Sequence, residues 1–390
     1  MKSVAHLFTS ITANYLPKAR VLAESARRQK LDIQFHVLLC DDYPREARIN
    51  TEPFDSIINV ADLPILNRDA WLFGHNLVEM CTAVKPLGFL EIANRFEAAH
   101  IFYFDPDMLI LSGLDNLLKS LEKHSVLLTP HLTVPECSIE AVKDNEIAAL
   151  KHGIYNLGFL GVRTSKEGLR FLAWWADRLQ NFCHIDIPSG LFTDQRWIDL
   201  VPAFFDDIFI LRDSIYNVAT WNLNHRPVAG TLKHGLSING DALSFFHFSG
   251  LDSGAQELML KKYAGSNHAL HDLRNWYISE CEIKGQSILG QLPCRYAVFD
   301  NGETIKHEYR LLYRTRLDLQ QAFPHPFKTG KNTFHQWLQQ NPTEVDALST
   351  YGYESLLNQL REARRELHLL HGSRSWKLLR LISRLRHAFK

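Results

Sequence analysis

Short apolar runs and stretches of helical spacing take turns along the chain. Residues 4–10 form an apolar run, and 16–29 carry Leu16, Ala19, Leu22, Ala23 and Ala26 three or four positions apart. The run predicts a strand and the spacing an amphipathic helix, with Pro17 tolerated in its first turn. Strands are predicted again at 33–40, 56–60 and 101–104, and helical segments at 75–83 and 85–96. This β-α-β-β-α-β order predicts an α/β fold: a mostly parallel sheet with helices on both faces. Farther on, 114–121 and 169–182 read as helices, and 125–129, 155–162, 208–211 and 244–250 as strands. Residues 130–145 are polar and irregular and predict a mobile loop. Asn156 and Gly158 break strand 155–162 and suit a bulge. From 256 to 345 the pattern is helical and polar, with a turn signal, expected to close a hairpin, at 299–303 and loop signals at 324–330 and 341–342.

The chemistry gathers at the end of the fourth predicted strand. The strand at 101–104 is apolar on both faces and runs into Asp105-Pro106-Asp107. Residues i and i+2 of an extended chain point the same way, so both carboxylates can face one point. Two carboxylates so placed repel unless a cation lies between them, and hard oxygen ligands suit Mg²⁺ or Mn²⁺. Ligands of open α/β sheets bind beyond the carboxyl ends of the strands, where this pair sits. The competing reading is an ordinary Asp/Pro turn.

Composition narrows the field without deciding it. The 390 residues are 46% hydrophobic and 22% charged, ample for a core. Lys plus Arg equals Asp plus Glu at 43 each, so nothing points to a nucleic-acid partner. The six cysteines form no C-x-x-C pair and read as reduced thiols of a cytoplasmic protein. The N-terminus reads as a first strand rather than a signal peptide, and no apolar run is long enough to cross a membrane. No G-x-G-x-x-G or P-loop is present, which argues against dinucleotide and P-loop chemistry.

Asp-x-Asp after a mid-chain apolar strand resembles the metal motif of GT-A glycosyltransferases, and further segments resemble family 8 in that family's order. Thr9-Ser10-Ile11-Thr12-Ala13-Asn14-Tyr15 resembles its nucleotide-base loop, which implies donor contacts for Thr9, Asn14 and Tyr15. Thr82-Ala83-Val84-Lys85 resembles its Thr-x-x-Lys segment, whose lysine contacts the donor; here Pro86 stands where Leu is usual. Tyr155-Asn156-Leu157-Gly158 resembles the strand whose Asn faces the donor sugar, with Leu157 in place of Ser. Asp194-Gln195 resembles the pair beside the reacting sugar; Thr193 or Asp194 also reads as a cap of the following helix. His247-Phe248-Ser249-Gly250 resembles the His-x-x-Gly motif that supplies a third metal ligand. The resemblance therefore implies Asp105, Asp107 and His247 as metal ligands, Asp105 also as a donor contact, Asp194 and Gln195 as catalytic, and Mn²⁺ or Mg²⁺ as cofactor. The Lys-Pro-Trp that follows that motif in the family is Leu251-Asp252-Ser253 here, so the lysine for the diphosphate is missing and the cation or another basic group must neutralise it.

The expected fold is thus a GT-A-like, Rossmann-type mixed sheet flanked by helices with a mainly helical C-terminal extension. A catalytic domain at 1–255, an accessory helical region at 256–345 and a basic helical tail at 346–390 are the expected divisions. The expected function is transfer of a sugar from a nucleotide-sugar donor to a saccharide or lipid-linked acceptor, with retention, in surface polysaccharide synthesis. The alternatives are a sugar-nucleotide nucleotidylyltransferase and a non-catalytic nucleotide-sugar-binding scaffold. In the tail, residues 373–390 carry six Arg or Lys and no Asp or Glu. Trp376, Leu379, Ile382, Leu385 and Phe389 fall on one helical face, a pattern that suits an anionic membrane surface or a partner protein. The expected location is the cytoplasm, peripheral at the inner face of the cell membrane.

Overall fold

The apolar runs assemble into one sheet in a computed structural model that describes residues 4–345 apart from Lys30. The strands in chain order are β1 (Ala5–Ile11), β2 (Ile33–Leu39), β3 (Ser56–Asn59), β4 (His100–Phe104), β5 (Met108–Ile110), β6 (Val126–Pro130) and β7 (Tyr155–Arg163). They continue with β8 (Ile185–Asp186), β9 (Leu191–Phe192), β10 (Ile208–Ile210), β11 (Val228–Thr231), β12 (Gly235–Ile238), β13 (Asp241–Ala242) and β14 (Phe245–His247). Seven of them form the central sheet in the order β10-β6-β7-β4-β1-β2-β3. Neighbours pair in parallel except around β7, which runs antiparallel to both β4 and β6. The sheet is therefore mixed. The register shift between Leu128 and Pro130 sits beside Tyr155, one residue before Asn156.

Helices cover the sheet as the periodicity predicts. They include α1 (Leu16–Arg27), α2 (Arg68–Gly74), α3 (Leu77–Ala83), α4 (Lys85–Phe96) and α5 (Leu114–Lys123). β4 is buried at every position, which explains its unbroken apolar run. Gly88 lets α4 lie close to the sheet, since a Cβ there would meet the Phe8 ring at 2.8 Å.

A two-stranded antiparallel ribbon, β5 with β14, stands apart from the main sheet and sets His247 opposite Met108. Three aromatic rings fasten it down. Phe104 of β4, Phe159 of β7 and Phe245 of β14 lie 5.0–5.3 Å apart, each contact contributing about 0.5–1.5 kcal/mol beyond its area. The site below depends on this anchoring.

The chain divides into two compact units, Met1–Val298 and Phe299–Lys390. The helices Ala255–Tyr263 and His268–Ile283, which the sequence pattern sets apart at residue 256, lie within the first unit. In the second, helices His307–Thr315, Leu317–Ala322 and Phe334–Gln340 gather around Tyr313 and Phe334, whose rings are 4.9 Å apart. The turn at 299–303 closes with Phe299 N–H donating to Glu303 O at 2.8 Å. The expected helical tail, 346–390, lies outside the described residues. Among those described, no helix is long and apolar enough to cross a membrane.

Candidate active site

Asp105 and Asp107 meet at the carboxyl end of β4, but through a turn rather than an extended segment. The N–H of Met108 donates to Asp105 O at 3.1 Å, closing a tight turn over Pro106. The ribbon then delivers the third group: Phe248 N–H donates to Asp107 O at 2.8 Å, one residue after His247. One ligand atom from each of Asp105, Asp107 and His247 lies within 4.8 Å of the others. His247 Nε2 is 3.2 Å from Asp107 and 3.8 Å from Asp105. Burial works against the imidazolium, yet Asp107 and Asp105 outweigh it and hold the His247 pKa above its ordinary value. Such a donor set fits a divalent ion: two hard oxygens, one imidazole, and acidic groups that a cation would relieve.

Gly158 makes the approach possible. A Cβ on it would lie 2.4 Å from Met108 Cε, 2.6 Å from His247 Cε1 and 2.8 Å from Asn156 Oδ1. Its N–H donates to Asn156 Oδ1 at 3.2 Å, and Asn217 Nδ2 donates to the same oxygen at 3.0 Å. The other end of Asn156 is 3.1 Å from His131 Nε2. Burial drives the His131 pKa down to about 4, so the ring is neutral and can accept from the amide.

On the Asp105 side lies a buried lysine. Lys85 opens α4, where its Nζ is 2.9 Å from Asp194 and 3.6 Å from Asp105 and donates to Leu157 O at 3.0 Å. The Tyr103 hydroxyl donates to Asp105 at 2.7 Å, and the Lys85 ammonium lies 4.4 Å over that tyrosine's ring. Burial lowers the lysine's pKa, but Asp194 and Asp105 together raise it above the ordinary value. Burial pushes the Asp194 pKa up, against the pull of Lys85. Asp194 makes no capping hydrogen bond to its helix; its other oxygen accepts from Thr193 Oγ1 at 3.0 Å. Thr193 holds φ at +46°, rare for a β-branched residue, and Asn217 holds +52°. Backbone strain of this kind gathers where function fixes a side chain.

Gln195 uses both ends of its amide on the backbone. Leu157 N–H donates to its Oε1 at 3.0 Å, and its Nε2 donates to His152 O at 3.0 Å. It orients strand β7 beside Asp194. Lys85, Asp105, Asn156, Asp194, Gln195 and His247 all line one cavity of about 480 Å³.

Thr9, Asn14 and Tyr15 are not among the residues that line this cavity. Thr9 is enclosed in β1, with no partner for its hydroxyl among the described residues. Asn14 accepts from Thr12 Oγ1 at 2.5 Å. Tyr15 donates to Asp252 at 2.7 Å, and Lys18 reaches the same carboxylate at 2.6 Å. Lys18 is a buried lysine that the sequence pattern passes over. Its side chain is 4% exposed in α1, and its charge is felt at Asp107, where it joins His247 in holding the carboxyl down against burial. The signal was present: Lys18 shares its helix face with Val21 and Leu22, in an otherwise apolar stripe.

No protein-family model matches the chain. It is 23% identical over 256 residues to the uncharacterized protein YfnD of Bacillus subtilis (strain 168), covering 64% of this chain and 78% of that one. Among solved structures it is similar to the galactosyltransferase LgtC in complex with donor and acceptor sugar analogues, with TM-score 0.41 and 15% identity over 74% of this chain and 97% of that one. It is also similar to the glycosyltransferase GlyE of Streptococcus pneumoniae TIGR4 (TM-score 0.41, 13% identity, 77% and 67% of the two chains). A third is mouse xyloside xylosyltransferase 1 (TM-score 0.36, 15% identity, 63% and 98%).

Proposed function

We propose that the protein is a metal-dependent, retaining glycosyltransferase of the GT-A type that takes its sugar from a nucleotide-sugar donor. The observation that carries this reading is the Asp105–Asp107–His247 cluster, whose Asp105 and His247 share one cavity with the Lys85–Asp194 pair. Held by those three residues, Mn²⁺ or Mg²⁺ supplies Lewis acidity and positive charge for a leaving diphosphate. Lys85 holds Asp105 and Asp194 in place, at 3.6 and 2.9 Å. Asp194 presents a carboxylate where positive charge develops on the sugar ring as the donor bond breaks. Asn156, locked by Asn217 and Gly158, offers the sugar an oriented amide. Lys18 supplies the basic group that the Leu251-Asp252-Ser253 segment lacks, presented from α1 on the Asp107 side.

The acceptor in this reading is a saccharide, free or lipid-linked, in surface polysaccharide synthesis. The support for a lipid-linked acceptor is the composition of residues 373–390, six basic and none acidic, which favours an anionic membrane surface.

The test is a panel of UDP-, GDP- and dTDP-sugars with Mn²⁺. The expected result is slow donor hydrolysis by the native protein, abolished by EDTA and by Asp105→Ala or Asp107→Ala with the fold retained. Sugar-1-phosphate-dependent pyrophosphate release would show a nucleotidylyltransferase, and binding without turnover a scaffold. Full activity of both variants in EDTA would remove the metal from the mechanism.

A further inference from the structure

Two amides on the wall of the same cavity are each fixed at one end by a charged group. Asn145 lies in a π-helical turn, Val142–Glu146. Its Nδ2 donates to Glu136 Oε1 at 2.6 Å. Glu136 is held in turn by Asn224 Nδ2 at 2.9 Å and His225 Nε2 at 3.1 Å. An ionised carboxylate only accepts, so the Asn145 amide has one orientation. Its Oδ1 is turned the other way, buried and without a partner among the described residues. Gln256, in the helix Ala255–Tyr263, is the complement. Its Oε1 accepts from Arg274 Nε at 2.9 Å. A guanidinium only donates, so Gln256 Nε2 is the buried end left without a partner among the described residues.

Both residues line the cavity of Asp105, Asp194 and His247, and they are 3% and 1% exposed. Their segments are tied together: Asp144 accepts from Tyr263 OH at 2.6 Å and pairs with Lys262. A buried amide end without a partner forfeits its hydration for nothing in return, so two in one wall form an energetically loaded surface. One is an acceptor and the other a donor. Neither phosphate, which cannot satisfy Oδ1, nor ammonium, which cannot satisfy Nε2, matches both. A hydroxyl matches both, since it donates and accepts. Trp221 adds a third buried polar atom, the donor Nε1, and an aromatic ring on the same cavity. A ring face beside paired polar groups suits a pyranose, which has C–H faces and a hydroxyl rim.

We propose that Asn145 and Gln256, with Trp221, form a sugar-hydroxyl subsite. This rests on the glycosyltransferase reading and names a place for a saccharide within it. The test measures binding of UDP, GDP and dTDP, the matching UDP-, GDP- and dTDP-sugars, and the saccharides lactose and methyl hexosides. The proteins are native, Asn145→Leu and Gln256→Met, all full-length, with folding checked by thermal unfolding. The expected result is unchanged nucleoside diphosphate binding with at least tenfold weaker binding of a sugar-bearing ligand in each variant. A loss confined to the nucleotide-sugars assigns the subsite to the donor sugar, and a loss with free saccharides assigns it to the acceptor; both support it. Native-like affinity of both variants for every sugar-bearing ligand overturns the subsite. So does a native protein that binds nucleoside diphosphates but gains nothing from any sugar. A native protein that binds no nucleoside diphosphate overturns the glycosyltransferase reading instead.

Discussion

Replacing Lys85 by Met should unfold the protein more easily, and the structure says by how much. The ammonium lies 2.9 Å from Asp194, and both side chains are 3% exposed. At an effective dielectric near 20 the attraction is about 6 kcal/mol, and desolvation of both charges offsets a large part of it. Asp105, more exposed and 3.6 Å away, adds less. The variant leaves the Asp194 carboxylate buried without its cation, a defect that costs about 3–5 kcal/mol. Loss of the Lys85 hydrogen bond to Leu157 O adds about 1 kcal/mol. The double variant Lys85→Met with Asp194→Asn removes the stranded charge and should recover about 2 kcal/mol. Urea unfolding at pH 7 measures all three proteins. Since a stranded Asp194 has its pKa raised in the fold, the single variant's deficit should narrow as pH falls and the carboxyl protonates. A single variant within about 1 kcal/mol of native, or a double variant less stable than the single, would refute the argument.

Three further outcomes follow from the same geometry. Gly158→Ala places a Cβ against His247 Cε1 at 2.6 Å, so Mn²⁺ affinity measured by titration should fall at least about tenfold, at a stability cost of about 1–3 kcal/mol; unchanged affinity would contradict the close approach. Lys18→Met should weaken nucleoside diphosphates about tenfold while leaving nucleosides alone, and isothermal titration with both separates a phosphate contact from a base contact. His36 is enclosed against His6 and Ser56, and burial lowers its pKa from 6.5 to about 4. The unfolded chain therefore takes up the proton first as pH falls: stability is full above about 6.5 and loses up to about 3 kcal/mol by pH 4, a slope that His36→Leu should flatten in urea titrations.

Much of this arrangement is legible in the residues because burial writes itself into the pattern. β4 is enclosed on both faces and shows as an unbroken apolar run ending at Asp105. The helix at 85–96 is marked by its periodicity and by Pro86 in its first turn. What local pattern cannot carry is pairing between distant segments. Nothing in residues 244–250 says that they leave the main sheet to pair with β5, and that pairing brings His247 to the acids. The reversal of β7 is hidden for the same reason, since parallel and antiparallel strands buried on both faces read alike. Lys18 is hidden in the pattern because one charge on an apolar stripe reads as a long side chain reaching solvent, and only its contact with Asp252 shows otherwise. The segment at 130–145 reads as loop because its helical turns are short and one is π-helical, leaving no sustained period.

The β5–β14 ribbon also sets an order of events. Its two strands are three residues each and lie far apart in the chain, with β6 to β13 between them. A ladder that short returns little until the long intervening loop has closed, so contacts of this kind form late in folding. A nascent chain that has emerged only as far as β7 carries Asp105 and Asp107 without His247. Chelation would be incomplete at that stage, and the acids would hold a cation weakly. On the proposed reading, competence to bind metal tightly would arrive with the segment that closes the ribbon, so metal retention by ribosome-bound chains of increasing length would time the maturation of the site.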